Sequence, residues 1–349
     1  MRKLQNIQAL RGIAVLSVVL LHLAIIEQQY GGKNAILPEF FDFGMFGVDL
    51  FFVISGFVMV VVTKGKFQNI KQAVRFLYHR ASRIYPTYWV YSMLILGVFI
   101  IRPSLFRRSL GNEVDILASF LLWPSETLPL VIVGWTLIHE IYFYLIFFIV
   151  LLITPEKHLF KAMLLWGSGV VLSNLLLELA SPISHLVFHP LTIEFISGCF
   201  LSILYFRINN QILKTSSLLI LALMGISAAI YGLDLYQDAT GYIHPHGWWR
   251  ILIFGVPATL LVFCFIYLER NGYVAHSIFI KVGDASYSIY LSHVLILTVT
   301  GRIWSTFSSD LAYDNVIILP VQLFLVIIAG MVSFNFIEKP LLAFSRRNA

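Results

Sequence analysis

The stretch "ALRGIAVLSVVLLHLAII", residues 9–26, decides the class of the chain. It is apolar enough to sit in a bilayer, yet it carries Arg11 and His22. Ionisable groups inside a membrane span cost about 2.5 kcal/mol or more, so they are usually paired or functional. At about 100° per residue, the separation of Arg11 and His22 is three turns plus roughly 20°. Both therefore lie on one helix face, roughly 16 Å apart along the axis.

The composition extends this reading to the whole chain. Hydrophobic residues make up 59% of the 349 and charged residues 12%, with a mean hydropathy of +0.85. A soluble domain is closer to a quarter charged, and charge this sparse does not cover a soluble globule of this size. A span takes about 20 mostly apolar residues. On that rule ten are placed, near 7–26, 44–63, 84–101, 135–153, 162–180, 191–206, 215–233, 248–268, 285–300 and 316–337. The expected fold is all-α: a single transmembrane domain over 1–349, built as a bundle of about ten helices. The N-terminal stretch could pass for a secretory signal. Arg11 and His22 interrupt it, no small-x-small cleavage site follows, and more apolar spans do, so it reads as a retained first span. Cys199 and Cys264 fall inside spans and read as packing residues rather than a disulfide or metal pair.

The net charge of +6 is a topology signal. With the N-terminus inside, 18 of the 24 Lys and Arg residues fall on the inner side, six of them between Lys64 and Arg83. Lys33, Arg102, Arg107, Arg108, Arg250 and Arg302 fall outside. Positive residues concentrate on cytoplasmic loops, so both termini are expected in the cytoplasm and no nucleic-acid partner is implied. The loop 63–83, "TKGKFQNIKQAVRFLYHRASR", has apolar residues at helical spacing among its cations and reads as a cytoplasmic interfacial helix. Pro86 then suits the first turn of the next span. Segment 113–134 is apolar but broken by Pro124 and Pro129, and reads as a short helix with an interfacial or re-entrant return.

Depth counted at roughly 1.5 Å per residue brings four ionisable groups within roughly 10 Å of the outer boundary: His22, Asp49, Glu140 and Glu194. They suggest one polar cavity opening outward. Each has a plainer alternative, since a lone intramembrane acid also pins a helix pair. Arg250 and His139 lie near the same interface, where anchoring explains them equally well. Ser286, Tyr290 and His293 fall at i, i+4 and i+7 on one face of the ninth span; Thr136, Glu140 and Tyr144 form a similar stripe. Such hydroxyls serve as hydrogen-bond relays or as interhelical glue. Arg80 and Arg83 are neighbours at i, i+3, suited to bidentate phosphate binding or to inner-leaflet anchoring. No metal cluster, phosphate-binding glycine loop or nucleophile elbow is present in the sequence.

Taken together, "RGIAVLSVVLLH", "FGVDLFFVISGF", "RASRIYP", "GWTLIHEIYFY", "LTIEFISG", "RILIFGVPA", "GDASYSIYLSH" and "FIEKP" resemble the acyltransferase-3 family of integral membrane acyltransferases. The pieces occur in family order over nearly the whole chain, and the form of several looks most like the subgroup that O-acetylates bacterial exopolysaccharides. The resemblance implies an enzyme of the bacterial inner membrane that moves an acyl group, most often acetyl from acetyl-CoA, to a sugar hydroxyl of a lipid-linked or exported glycan. It makes His22 the catalytic histidine, with Arg11 as its family partner and Glu140 as the acid following the Trp-Thr-Leu turn; in the mechanism this suggests, Asp49 or Glu140 orients His22. Arg80 and Arg83, aided by Arg11, match the basic motif for the CoA phosphates. Glu194, Tyr290, His293, Ser286, Tyr144 and Arg250 become cavity or acceptor residues. Acyl-CoA is a co-substrate, with no bound cofactor. Membrane lipids are partners, and a homo-oligomer or a polysaccharide-synthesis complex fits the class. Ile138 and His139 depart from the polar or aromatic residues frequent in related sequences. No soluble hydrolase-like domain is appended. A proton-coupled transporter or flippase is the rival from another class, although no paired halves with broken helices are visible. A non-catalytic subunit of a glycan-export complex is a third.

Overall fold

The computed structural model describes residues 4–32, 35–102, 114–208, 213–307 and 312–347. Lys33, Arg107 and Arg108 lie outside these residues, as does the first position of the 113–134 segment. Helices are the only regular secondary structure among the described residues, with no strand. In chain order the first elements are α1 (Gln5–Tyr30), a 3₁₀ turn (Glu39–Met45), α2 (Phe46–Thr63), α3 (Ile70–Ile101) and α4 (Ile116–Leu121). Then come α5 (Gly134–Ile153), α6 (Leu159–Leu176), α7 (Pro182–Val187), α8 (Thr192–Arg207) and α9 (Thr215–Thr240). A short α10 (Gly247–Arg250) continues through a π turn (Ile251–Gly255) into α11 (Val256–Arg270). α12 (Ser277–Asp284), α13 (Ser286–Ser305), α14 (Ala312–Ser333), a second π turn (Phe334–Glu338) and α15 (Lys339–Arg347) complete the order.

Nine of the described helices are long and apolar enough to cross a membrane, and the α12–α13 pair makes a tenth if it is one span. The chain is an all-α, multi-pass membrane protein. Two expectations change in detail. The interfacial helix and the third span are one continuous helix, α3, with Pro86 inside it. A proline removes a single i→i−4 bond, and here that loss does not end the helix. The ninth span is preceded by α12, and the two helices bend by 73° at Ala285. The short helix expected within 113–134 is present as α4, capped by the Asp115 side chain accepting from the Ala118 amide at 2.8 Å.

The chain divides into two compact units. The first holds Met1–Val61 and Ile193–Phe334, the second Val62–Thr192 and Asn335–Ala349. In the first, α1 is the hub and packs on α11, α12, α13 and α14. Its buried N-terminus is held by Glu269, whose carboxylate accepts from the Gln5 and Asn6 amides at 3.0 and 2.7 Å. An acid at a helix N-terminus also complements the helix dipole. Glycines set the closest approaches. Gly12 faces the Phe279 carbonyl while Gly283 faces the Gln8 carbonyl, so α1 and α12 touch backbone to backbone. Gly56 and Gly198 do the same for α2 and α8. A Cβ at any of the four would overlap a carbonyl oxygen, and such small-residue contacts are how membrane helices pack without a hydrophobic drive between them.

In the second unit α3 packs against α5 and α15. Aromatic stacking fills the contact of α5 with α6: Phe143 lies parallel to Trp166, ring centroids 5.5 Å apart.

Candidate active site

Six of the expected residues meet inside the first unit. Asp49, fully buried on α2, receives both Nε and Nη2 of Arg250, each at 2.9 Å. This fork-on-fork geometry is the strongest arrangement open to a guanidinium and a carboxylate. The anchoring role that served as the alternative for Arg250 does not fit a guanidinium so engaged. Glu194 on α8 lies beside this pair, 1% exposed, with Asp49 and Arg250 as its charged neighbours. Neither of its carboxyl oxygens receives a hydrogen bond. The π turn explains how it fits. A π turn inserts an extra residue into a helix and is frequent at functional sites. Here it brings Gly255 so near that a Cβ there would stand 2.9 Å from Glu194 Oε1.

Glu194 also lines a cavity of about 490 Å³ between α8 and the π turn with α11. Its other walls include Ile251, Val256 and Leu260, with Ser197 and Thr259 joined by a 2.8 Å hydroxyl contact. The cavity surface is almost wholly apolar, so the buried carboxyl is its polar end.

His22 on α1 approaches from the other side of the cluster. Its Nδ1 stands 2.9 Å from the Val18 carbonyl oxygen. A carbonyl oxygen only accepts, so Nδ1 carries the proton and the neutral ring keeps its lone pair on Nε2. The Val18 carbonyl holds this tautomer, and Asp49 pairs with Arg250. The His22 ring packs edge-to-face on His293 of α13, centroids 4.7 Å apart. His293 repeats the arrangement, its Nδ1 donating to the Tyr290 carbonyl at 2.6 Å and its buried Nε2 meeting no partner. Tyr290 lies 5.7 Å from His293 by centroid and within electrostatic reach of Arg250. The chain of neighbours is thus His22, His293, Tyr290, Arg250, Asp49, Glu194. Ser286 sits at the α12–α13 bend, buried, with an unpartnered hydroxyl. Arg11 is partly buried, three turns back along α1.

The remaining expected residues belong to the second unit. Tyr144 donates to Glu140 one turn away on α5, and the Arg80 guanidinium of α3 lies 6.0 Å from the Tyr144 ring and 5.9 Å from that of Phe76. Arg80 Nε is buried without a hydrogen-bond partner, and Glu140 and Arg83 are among the charges acting on the group. Depth counting put Arg80 and Glu140 at opposite faces of the bilayer. In the structure the two are neighbours, Arg80 lying on a helix α3 that runs unbroken through Arg83. His139 packs on His189 at 4.6 Å between centroids.

Two groups escaped the sequence reading. Glu27, 1% exposed near the end of α1, accepts from the Ile36 and Leu37 amides and from Asn315 Nδ2, at 2.8, 2.9 and 2.7 Å. His244, in the loop after α9, is a close electrostatic neighbour of Arg250 and His22. A histidine in a glycine-bracketed loop directly before Arg250 was the available signal. Among the described residues no group of three or more His, Cys, Asp or Glu side chains is arranged to hold a metal ion.

A fold of long apolar helices with a buried acid, base and guanidinium cluster defines a multi-pass membrane protein with a polar interior site. Comparison with known proteins gives the class. The model of the acyltransferase-3 acyltransferase domain matches residues 4–337, and the chain belongs to that family. It is 29% identical over 320 residues to the exopolysaccharide production protein ExoZ of Rhizobium meliloti, covering 86% of this chain and 90% of that one. It is 23% identical over 376 residues to the O-acetyltransferase OatA of Staphylococcus aureus, covering 97% of this chain but 57% of that longer protein. No solved structure matches the chain. These findings make it a membrane O-acyltransferase.

Proposed function

We propose that the protein transfers acetyl from acetyl-CoA to a sugar hydroxyl of an exported or lipid-linked glycan, in the cytoplasmic membrane of a bacterium, with both termini in the cytoplasm. The observation that carries this reading is the His22 tautomer. With Nδ1–H held by the Val18 carbonyl, Nε2 has a lone pair able to take the proton of the acceptor hydroxyl. The hydroxyl oxygen then attacks the thioester carbonyl carbon. The carbon–sulfur bond breaks, and the leaving thiolate takes back the proton from Nε2. Positioned bases of this kind contribute about 10²–10⁴-fold. His293 and Tyr290 support the ring of His22. Asp49 holds Arg250 at the polar end of the site, and Glu194 stands ready for an acceptor hydroxyl. Arg80 and Arg83 hold the CoA phosphates, and Glu140 and Tyr144 set the position of Arg80, while Arg11 is the partner of His22 on α1. The similarity to ExoZ supports a polysaccharide acceptor and work beside a polysaccharide-synthesis complex.

The test uses membranes supplied with labelled acetyl-CoA and the native glycan. His22→Ala, at normal membrane levels, is expected to lose about 10²–10⁴-fold of transfer. Transfer retained at the wild-type rate overturns the assignment. Replacing Arg80 and Arg83 is expected to raise the acetyl-CoA concentration needed for half-maximal rate; an unchanged value returns them to lipid anchoring.

A further inference from the structure

The loop joining α9 to α10 reads "GYIHPH", residues 241–246. It is a built turn. Gly241 at φ +70° and Gly247 at φ +54° bracket it, both in the left-handed region where glycine is the favoured residue. Gln237 Nε2 donates to the Ile243 carbonyl at 2.9 Å, and the Tyr242 amide donates to Thr240 Oγ1 at 3.2 Å. The Tyr242 and His246 rings meet edge-to-face at 5.5 Å. Tyr242, Ile243 and His246 are exposed, whereas His244 and Pro245 turn inward. His244 Nδ1 is fully buried and has no hydrogen-bond partner. Burial, then the charge of Arg250, then His246 and His22, push its pKa down to about 4. The imidazole is therefore neutral at pH 7, and Arg250 and His22 of the first unit's site are among its electrostatic neighbours.

A neutral imidazole nitrogen enclosed by protein costs free energy until something bonds it. A thioester at its reacting end offers only acceptor atoms. A sugar hydroxyl offers both a donor and an acceptor, and so satisfies Nδ1 in either tautomer. We propose that His244 is an acceptor-binding residue, its Nδ1 exchanging a hydrogen bond with a hydroxyl of the glycan presented to His22. This rests on the O-acetyl transfer reading and names the residue that holds the acceptor for it.

The probe is exopolysaccharide of the producing strain, de-O-acetylated with alkali and cut to repeating units. His244→Ala is expected to raise the KM for this acceptor about tenfold, the loss of one hydrogen bond. kcat and the KM for acetyl-CoA stay within about twofold, a pattern that a merely structural defect does not give. His244→Asn places an amide atom where Nδ1 stood and is expected to restore the acceptor KM. An unchanged acceptor KM in the alanine variant, or parallel changes for both substrates, overturns the proposal. So does a failure of the asparagine variant to rescue. Direct binding of the same oligosaccharide to purified His22→Ala and to the His22→Ala/His244→Ala double variant, by calorimetry, separates this inference from the catalytic one. Weaker binding by the double variant supports the role of His244 even where no transfer is seen. Equal binding overturns it.

Discussion

Two buried glutamates of the first unit, each 1% exposed, live in opposite circumstances. Glu27 is saturated: two backbone amides and the Asn315 amide nitrogen converge on its oxygens. Neither carboxyl oxygen of Glu194 receives a donor of this kind; the group lies against the Asp49 carboxylate and borders a cavity. A carboxylate with three donors is a clasp that ties the segment after α1 to α14. A buried carboxyl group whose oxygens receive no donor raises the free energy of the folded state and persists because something else is gained. The difference separates a residue that holds the fold from one that the fold holds in readiness.

The contrast is sharpest at the ion pair beside Glu194. Asp49→Ala leaves the Arg250 guanidinium buried without its partner, a change that costs about 3–5 kcal/mol. Thermal unfolding in detergent is expected to show it as the largest loss. The Asp49→Ala/Arg250→Met double variant is expected to recover much of the difference, and a double variant no better than the single one breaks the pairing argument. Glu27→Ala removes the acceptor for three donors and is expected to cost about 3 kcal/mol, with transfer per folded molecule unchanged. If activity falls as far as stability, the clasp belongs to the site after all. Glu194→Gln is expected to leave stability within about 1 kcal/mol of wild type, since neither carboxyl oxygen receives a donor that the change would remove. Transfer should still fall about tenfold as the carboxyl group is lost. A stability loss equal to that of Glu27→Ala erases the contrast.

The smallest effect is one of pH. The folded-state pKa of His244 lies below its unfolded value, so the unfolded chain binds the extra proton first. The stabilisation is complete above about pH 6.5 and declines as pH falls toward about 4. Wild type is expected to lose more thermal stability than His244→Gln across that window. Parallel curves place the imidazole in open solvent.

Most of the architecture was legible because membrane helices advertise themselves by apolar length. Asp49 and Glu194 are set at one depth by the number of residues each lies into its span, and in the structure they are neighbours. Arg80 and Glu140 were set apart for the same reason: the count assumed a helix boundary that Pro86 does not make. The bend at Ala285 leaves hydropathy untouched and so left no trace. Glu27 looks in sequence like a residue at the frayed end of a span, and only the return of residues 36–37 and of Asn315 reveals its use. The glycines in the motif stretches, Gly12, Gly56, Gly198 and Gly283, stand where helices meet backbone to backbone.

The π turn at 251–255 has a consequence for insertions and deletions. It is one residue more than the regular helix requires, placed between Arg250 and the rest of α11. Deleting a single residue there would return the helix to its ordinary winding and swing Arg250 by about 100° about the axis. The span would still be long enough to cross a bilayer, and its hydropathy would hardly change. The guanidinium would leave Asp49, and Glu194 would lose the glycine cut to its shape. A frameshift-free deletion of three nucleotides at that point is therefore expected to be a more severe lesion than most substitutions.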